Sequence, residues 1–393
     1  MPRPMLPVVS AVIVLLVAGL VGTATVDEGR GEAAPSPSSP PSSPPPPPPA
    51  GSSTTAAPAG IQSVVPSLQA FVERERGLAF KEPVDVTLLD DDAFEARLRE
   101  DEDEDLEELR DAEAVLRAMG LLDEGTDLVE TVREVTAASV LGFYDPTTDE
   151  LVVRGAAATP YVRVVLVHEL LHALEDQHFD LDRSDLGDEA FLGFQALAEG
   201  SAVRIEERYR DSLSARDRVS LGAEEIRRAA QVPTDVPRVV EALFGFPYAY
   251  GPGLVEAVVG AGGVSRLDAA FASPPASSEH VLDPRSYLRG DEPRAVPVPA
   301  ADGPAFDDGE IGELFLLLML DAELGNRDAV AAADGWGGDR YVSWTEGGRT
   351  CVRMDFVMDT ERDTAELADA LARWAGERSG RATASGTSLR TCG

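Results

Sequence analysis

The chain has 393 residues, which is enough to bury a sizeable core, and its 44% of hydrophobic residues is typical of a globular protein. Its 70 acidic residues against 34 basic ones give a formal net charge of −36. Such a charge repels phosphate backbones, and we therefore expect no nucleic-acid partner.

The first sixty residues are predicted to carry the protein out of the cytoplasm and to lie outside its fold. Residues 1–26 place Arg3 ahead of an apolar run at about 8–21, which predicts either a cleaved signal peptide or a retained membrane anchor. Residues 27–60 are rich in proline and serine and predict an extended, disordered linker. The expected location is therefore secreted, or anchored to the membrane with the folded part outside.

Residues 61–393 contain no second low-complexity segment and predict one domain with room for two lobes. The first elements expected are a helix near 63–80, a strand near 83–89 and an acidic helical stretch near 90–122. The charge run in that stretch is expected to be a solvated helix face, with a calcium site as the alternative. A hairpin follows, since two apolar runs flank the turn DPTTDE.

Thr159 and Pro160 have the residue types of an N-cap and a first helical position. The next segment, containing HELLH, is apolar nearly all round and predicts a buried helix. Later segments predict a second long helix from about 189, helix on both sides of an aromatic turn within 236–263, and another buried helix before two strands, a helix and a last strand. Because helices and strands mix without a βαβ rhythm, the predicted class is α+β.

Three of the four histidines lie within VHELLHALEDQH. His168 and His172 are four positions apart, so their rings project from one helix face, and Glu169 lies at its edge. In this HExxH arrangement two histidines bind one Zn²⁺ and the glutamate deprotonates a water. The alternative is a pair of buried, hydrogen-bonded histidines. The apolar helix favours the metal site, because unpaired polar groups there are costly.

Hydrolytic zinc usually has three protein ligands and one open position. Glu199 in ALAEGSA is the predicted third ligand, because a carboxylate on so apolar a helix is usually paired or metal-bound. The alternative for Glu199 is an exposed glutamate at the polar edge of the helix.

His178 has the spacing of the third metzincin histidine, but Glu175 stands where that motif needs glycine. If the helix continues, His178 is rotated about 120° from His172 and is a helix-end residue.

With these residues in place, the chain resembles the gluzincins, zinc peptidases of the thermolysin type, and more closely a group of bacterial exported proteins with an HExxH motif. The phrases GFYDPTTDELVV, VHELLHALEDQHFDL, PPASSEHVLDPRSY and GWGGDRYVSW carry the closer resemblance. The resemblance implies a zincin-like fold, one Zn²⁺ and hydrolysis of a peptide or protein substrate, with Glu169 as general base.

Thermolysin-like enzymes have an acidic residue four positions after the glutamate ligand. Val203 stands there instead, and Glu206 is the predicted substitute supporting a zinc histidine, with a surface role as the alternative.

Hydrolysis also needs a donor that stabilises the oxyanion. The candidates are His280, Tyr144, Tyr248, Tyr250 and Tyr287. The alternative for His280 is a structural role in its loop. A strand of the DPTTDE hairpin is expected to bind an extended peptide at its edge, and the alternative is simple core pairing.

The two cysteines, Cys351 and Cys392, predict a disulfide in an exported chain. The rival to an enzyme is an inactive cell-envelope binding module that keeps a structural zinc site. The presence of Glu169 favours the enzyme, since a structural zinc site needs no base.

Overall fold

The structure is a computed structural model that describes residues 60–102 and 106–393. The predicted signal peptide or anchor and nearly all of the predicted linker lie outside these ranges. Among the helices that the structure describes, none has the length and apolar character needed to cross a bilayer.

The first part of the described chain combines helices with a small sheet. Its elements are α1 (Ile61–Arg76), β1 (Val86–Leu89), α2 (Asp91–Glu102), α3 (Leu106–Met119), α4 (Leu128–Ser139), β2 (Gly142–Asp145) and β3 (Glu150–Arg154). The predicted hairpin is confirmed, because β2 and β3 pair antiparallel, and β1 joins β3 in parallel. The strand order β1-β3-β2 leaves β2 at the edge of this sheet.

A helical layer follows the small sheet. Its elements are α5 (Pro160–Phe179), α6 (Asp188–Ser212), α7 (Ala215–Ala229), α8 (Arg238–Gly262), α9 (Val264–Ala272), α10 (Ser278–Leu282) and α11 (Pro284–Arg289). The start of α5 is as predicted, since the Thr159 hydroxyl accepts a hydrogen bond from Val162 N at 3.2 Å and Pro160 is the first helical residue. The predicted aromatic turn is wrong. The helix α8 continues through it with Pro247 and Pro252 inside.

The C-terminal part is a five-stranded sheet with three helices. Its elements are β4 (Ala305–Gly309), α12 (Gly312–Leu324), α13 (Asn326–Ala333), β5 (Trp336–Glu346), β6 (Arg349–Met358), α14 (Glu361–Glu377), β7 (Ala382–Ser385) and β8 (Ser388–Cys392). The strand order is β4-β5-β6-β8-β7. Cys351 of β6 and Cys392 of β8 are direct neighbours across the two strands and form a disulfide in the structure, in agreement with the predicted pair.

Several apolar cores hold the described parts together, and the α+β class is confirmed. The largest core joins α3 and α4 to the C-terminal sheet, with residues such as Leu116, Val135, Met354 and Trp374 fully buried. A second core surrounds α5 and contains its valines and leucines together with residues of α1, β3 and α6. Because α5 is apolar on every side, it lies in the interior and carries HELLH into the second core.

Candidate metal centre

Two neighbouring helices contribute the predicted metal ligands. His168 and His172 leave the same side of α5, with ring centroids 4.8 Å apart. The next helix, α6, brings Glu199 against both rings. Glu199 is only 2% exposed, so the alternative of an exposed edge glutamate is wrong.

His168 is held between two carboxylates. Its Nε2 lies 2.9 Å from Oε2 of Glu199, and its Nδ1 lies 3.0 Å from Oε2 of Glu206. The two glutamates are seven residues apart, which is about two helical turns, so both leave one face of α6. Arg210 Nε donates to the other oxygen of Glu206 at 2.7 Å. Glu206 therefore makes the predicted contact with His168, one of the two candidate ligand histidines.

The acidic and basic groups of this cluster shift each other's pKa values toward their charged forms. Burial would lower the pKa of His168, but its hydrogen bonds to Glu199 and Glu206 raise that pKa to about 10. Burial would raise the pKa of Glu199, but His172 and His168 lower it to about 2. Without a metal the arrangement favours an ionised Glu199 beside a protonated His168, and a bound metal ion would take the place of that proton. The two carboxylates favour a cation at this point in the core.

Glu169 is fixed on one side by the small sheet. Its Oε2 accepts a hydrogen bond from Tyr144 N of β2 at 3.0 Å, while its Oε1 has no hydrogen-bond partner among the described residues. The residue is fully buried, and burial raises the pKa of Glu169 well above its ordinary value, although nearby His168 opposes the rise. One oxygen of Glu169 is therefore positioned by β2 and the other is available to a water.

The residues present fit a zinc ion. His172 is buried, yet neither of its ring nitrogens has a hydrogen-bond partner within the described part of the chain, which native cores avoid. One ligand atom each from His168, His172 and Glu199 lies within 4.8 Å of the others. Two atoms bound to one tetrahedral zinc at ~2.0–2.1 Å are ~3.3 Å apart. The distances from Glu199 Oε2 to the two Nε2 atoms, 2.9 and 3.6 Å, are close to that separation.

The other two histidines lie apart from this cluster. The helix α5 continues past Glu175, and His178 Nε2 donates to the Ala79 carbonyl at 2.9 Å. His280 Nδ1 accepts from Ala276 N at 3.0 Å. Its Nε2 donates to the Asp291 carbonyl at 2.6 Å. Main-chain groups thus occupy both nitrogens of His280, which favours the structural role in its loop over the predicted oxyanion role.

Of the four candidate tyrosines, two donate their hydroxyls to other groups and a third is exposed to solvent. The Tyr144 hydroxyl donates to Asp176 at 2.7 Å, and the Tyr287 hydroxyl donates to the Ser273 carbonyl at 2.8 Å. Tyr250 is 38% exposed. The hydroxyls of Tyr144 and Tyr287 are therefore bonded to groups other than the predicted metal ligands.

Tyr248 of α8 is the candidate tyrosine that contacts His168 and Glu199. It is buried, its hydroxyl is hydrogen-bonded to Glu199, and its ring centroid lies 6.2 Å from that of His168. Burial raises the pKa of Tyr248 well above its ordinary value, and the nearby carboxylates of Glu199 and Glu169 raise it further. The hydroxyl is therefore a proton-bearing donor at neutral pH.

A buried ion pair behind α5 was not predicted. Arg76 Nε lies 2.6 Å from Glu175 Oε1, and both side chains are fully buried. Ser201 of α6 donates its hydroxyl to the same oxygen at 2.6 Å. This network ties α1 to α5 and α6, the two helices that carry the predicted ligands. In the sequence Arg76 is only a basic residue in the last turn of a helix, where such residues are common, so no local signal marks it.

Comparison with known proteins bears on the C-terminal part alone. The model of a family described as a domain of unknown function (DUF8575) matches residues 301–391. That segment begins before β4 and ends within β8, so it contains none of the residues of the candidate metal centre. No curated protein and no solved structure matches the chain.

Proposed function

We propose that this protein is an exported, zinc-dependent metallopeptidase of zincin-like fold that hydrolyses peptide bonds. The observation that carries the proposal is the place of Glu169 beside His168, His172 and Glu199, with one oxygen held by β2 and the other unpartnered. A site that only bound zinc would have no use for a buried, oriented base at this position. The export part of the proposal rests on the apolar run in residues 1–26.

Each residue of the site has a role in this proposal. His168, His172 and Glu199 hold the ion, which when bound supplies a Lewis acid and lowers the pKa of water. Glu169 Oε1 accepts the proton of the attacking water and passes it to the leaving amine. Glu206 keeps the His168 ring in place through Nδ1.

The substrate is a peptide in extended conformation. The strand β2 is the edge of its sheet, and the N–H of its Tyr144 faces Glu169. The Tyr144 N–H is used by Glu169, so a peptide would pair with the other main-chain groups of this edge and would then pass beside the general base. Main-chain pairing of this kind gives binding without a strong demand on side chains, so we expect cleavage of unstructured protein segments.

The burial of the cluster favours a second candidate function. His168, Glu169, His172 and Glu199 are all between 0 and 2% exposed, as in a closed structural zinc site. In that case the protein is an inactive binding module of the cell envelope. The two candidates differ in what they require of Glu169, so a variant of this residue separates them.

Metal analysis tests the ligand set. The parent protein should bind one Zn²⁺ per chain and release it to a chelator. His172→Ala and Glu199→Ala should lose stoichiometric zinc, because each removes one of three ligands. His178→Ala is the matched control on the same helix and should keep it. Retention of zinc by Glu199→Ala together with its loss in His178→Ala would show that the third ligand is His178.

Glu169→Gln tests the activity. It keeps the shape of the side chain but removes the base, so cleavage of an unstructured protein by the zinc-loaded chain should fall by ~10²–10⁴ while zinc binding stays as in the parent. The parent must lose cleavage with chelator and regain it with Zn²⁺. Absence of any cleavage by the zinc-loaded parent across a broad peptide library would support the binding module instead.

A further inference from the structure

Two helices cross next to the candidate metal centre without side chains between them. A Cβ added at Gly200 of α6 would lie 2.3 Å from the carbonyl group of Gly251 of α8. A Cβ added at Gly251 would lie 2.2 Å from the carbonyl oxygen of Ala196. Real side chains do not approach that closely, so only glycine allows the backbones of α6 and α8 to touch here.

This crossing sets the position of Tyr248. Glu199 precedes Gly200 in α6, and Tyr248 lies three residues before Gly251 in α8, on the same side of that helix. The contact between the backbones therefore brings the Tyr248 hydroxyl to the Glu199 carboxylate, where the two are hydrogen-bonded. The Tyr248 ring also lies beside the ring of His168.

We propose that Tyr248 is a positioning residue for the metal ligand Glu199, and that the Gly200–Gly251 crossing holds it there. This inference rests on the proposed function, since it gives the zinc ligand a partner. A carboxylate ligand has two oxygens and can rotate, so a hydrogen bond to one oxygen fixes the direction in which the other points. Glu206 of α6 likewise holds the ring of His168. Glu199 is thus oriented from α8, and His168 is oriented from α6.

Tyr248→Phe tests the hydrogen bond, because it removes only the hydroxyl. We expect the affinity for Zn²⁺, measured by competition with a chromophoric chelator, to fall ~10–100-fold. The visible absorption of the Co²⁺-loaded protein should also change, since it reports the ligand arrangement around the ion. Tyr287→Phe is the matched control. It removes a hydroxyl that donates to the Ser273 carbonyl, and it should leave affinity and spectrum unchanged.

Gly251→Ala and Gly253→Ala test the crossing. Both glycines lie in α8, but a Cβ at Gly253 meets nothing within 4 Å, whereas a Cβ at Gly251 collides with α6. We expect Gly251→Ala to push α8 away from α6 and to weaken Zn²⁺ binding as Tyr248→Phe does. Gly253→Ala should bind Zn²⁺ as the parent does.

The outcomes separate this inference from the proposed function. If the parent binds no Zn²⁺, the proposed function itself fails. If the parent binds Zn²⁺ and Tyr248→Phe binds it equally tightly with the same Co²⁺ spectrum, the proposed function stands and the positioning role is wrong. If Gly251→Ala does not fold, as judged by circular dichroism, the comparison of Tyr248→Phe with Tyr287→Phe decides alone.

Discussion

His168 contacts a carboxylate through each of its ring nitrogens, and this pairing defines the centre at the level of single residues. One nitrogen faces Glu199 and the other faces Glu206. Thermolysin-like enzymes, which the HExxH motif resembles, carry an acidic residue four positions after the glutamate ligand, and Val203 stands at that position in this chain. Glu206 reaches the same ring from one turn further along α6, because positions i, i+4 and i+7 lie on one face of a helix.

Removing Glu206 should weaken the site without destroying it. Glu206→Ala deletes the carboxylate that holds Nδ1 of His168, so we expect the affinity for Zn²⁺ to fall ~10–100-fold. Isothermal titration of the chelator-stripped protein with Zn²⁺ measures the change. Glu207→Ala is the matched control, because Glu207 is the exposed neighbour on the same helix. Equal affinity in both variants would show that Glu206 is only structural.

Among the elements, α8 shows how packing overrides local preference. Proline in a helix interior costs about 3 kcal/mol, and α8 contains Pro247 and Pro252. The helix nevertheless buries a run of side chains at helical spacing on both sides of the prolines, including Leu243, Phe246 and Leu254. Apolar burial of this kind stabilises each large side chain by roughly 1.5–3 kcal/mol, which offsets the local cost. The segment therefore stays helical and carries Tyr248 to Glu199.

The first turn of α6 is joined to two other helices by a buried carboxyl group. Glu189 Oε2 accepts hydrogen bonds from the main-chain nitrogen and the hydroxyl of Ser278, at 2.8 and 2.6 Å. The same hydroxyl accepts from Leu314 N of α12 at 3.1 Å. Burial raises the pKa of Glu189 to about 8, although its bonds to Ser278 oppose the rise. The fold therefore favours the protonated form of this carboxyl group.

A pH dependence of stability follows from this raised pKa. The contribution of Glu189 is fully present below its unfolded pKa of 4.5 and is lost as the pH rises through about 8. The side chain in Glu189→Gln does not titrate. The melting temperature of this variant minus that of the parent should therefore be larger at pH 9 than at pH 5. Thermal melts at a series of pH values measure this difference. The effects of all other carboxyl groups on the melting temperature are common to both proteins and cancel. Glu207→Gln should show no such trend, and a constant offset between Glu189→Gln and the parent would contradict the raised pKa.

Over the whole molecule, the C-terminal sheet is tied to the rest by core packing and is closed by a disulfide. The largest apolar core contains residues from both sides, among them Val135 of α4 and Trp374 of α14. Thr391 of β8 also donates its hydroxyl to the Ala118 carbonyl of α3. Although the segment matched by the unknown-function family is confined to residues 301–391, its apolar face is completed by the preceding part of the chain.

The disulfide should contribute substantially to global stability. It links residues 41 positions apart, which in the chain-entropy model corresponds to roughly 4 kcal/mol. Reduction should therefore lower the free energy of unfolding by about that amount, as measured by denaturant titration of the oxidised and reduced parent. The variant with Cys351→Ala and Cys392→Ala should not respond to reductant. An oxidised parent no more stable than the reduced one would contradict this account.

Much of the candidate centre follows from the sequence by itself. The spacing of His168 and His172 in an apolar helix, the cap at Thr159, the carboxylate at Glu199 and the two cysteines are local patterns. Helical and strand periodicity alone dictates which side chains share a face. The same geometry predicted that His178 would leave that face if the helix continued past Glu175, and the structure shows that it continues to Phe179.

Other features were decided only by the tertiary structure, because they depend on contacts between elements distant in the chain. The continuity of α8, the ion pair of Arg76 with Glu175, and the hydrogen bond of Tyr248 to Glu199 have no local pattern of their own. Gly200 and Gly251 are necessary because α6 and α8 cross between them, and the choice of α8 as the partner of α6 is made by the fold. Local periodicity specifies which faces are apolar, whereas the choice of partner for each face is made by the packing of the whole chain.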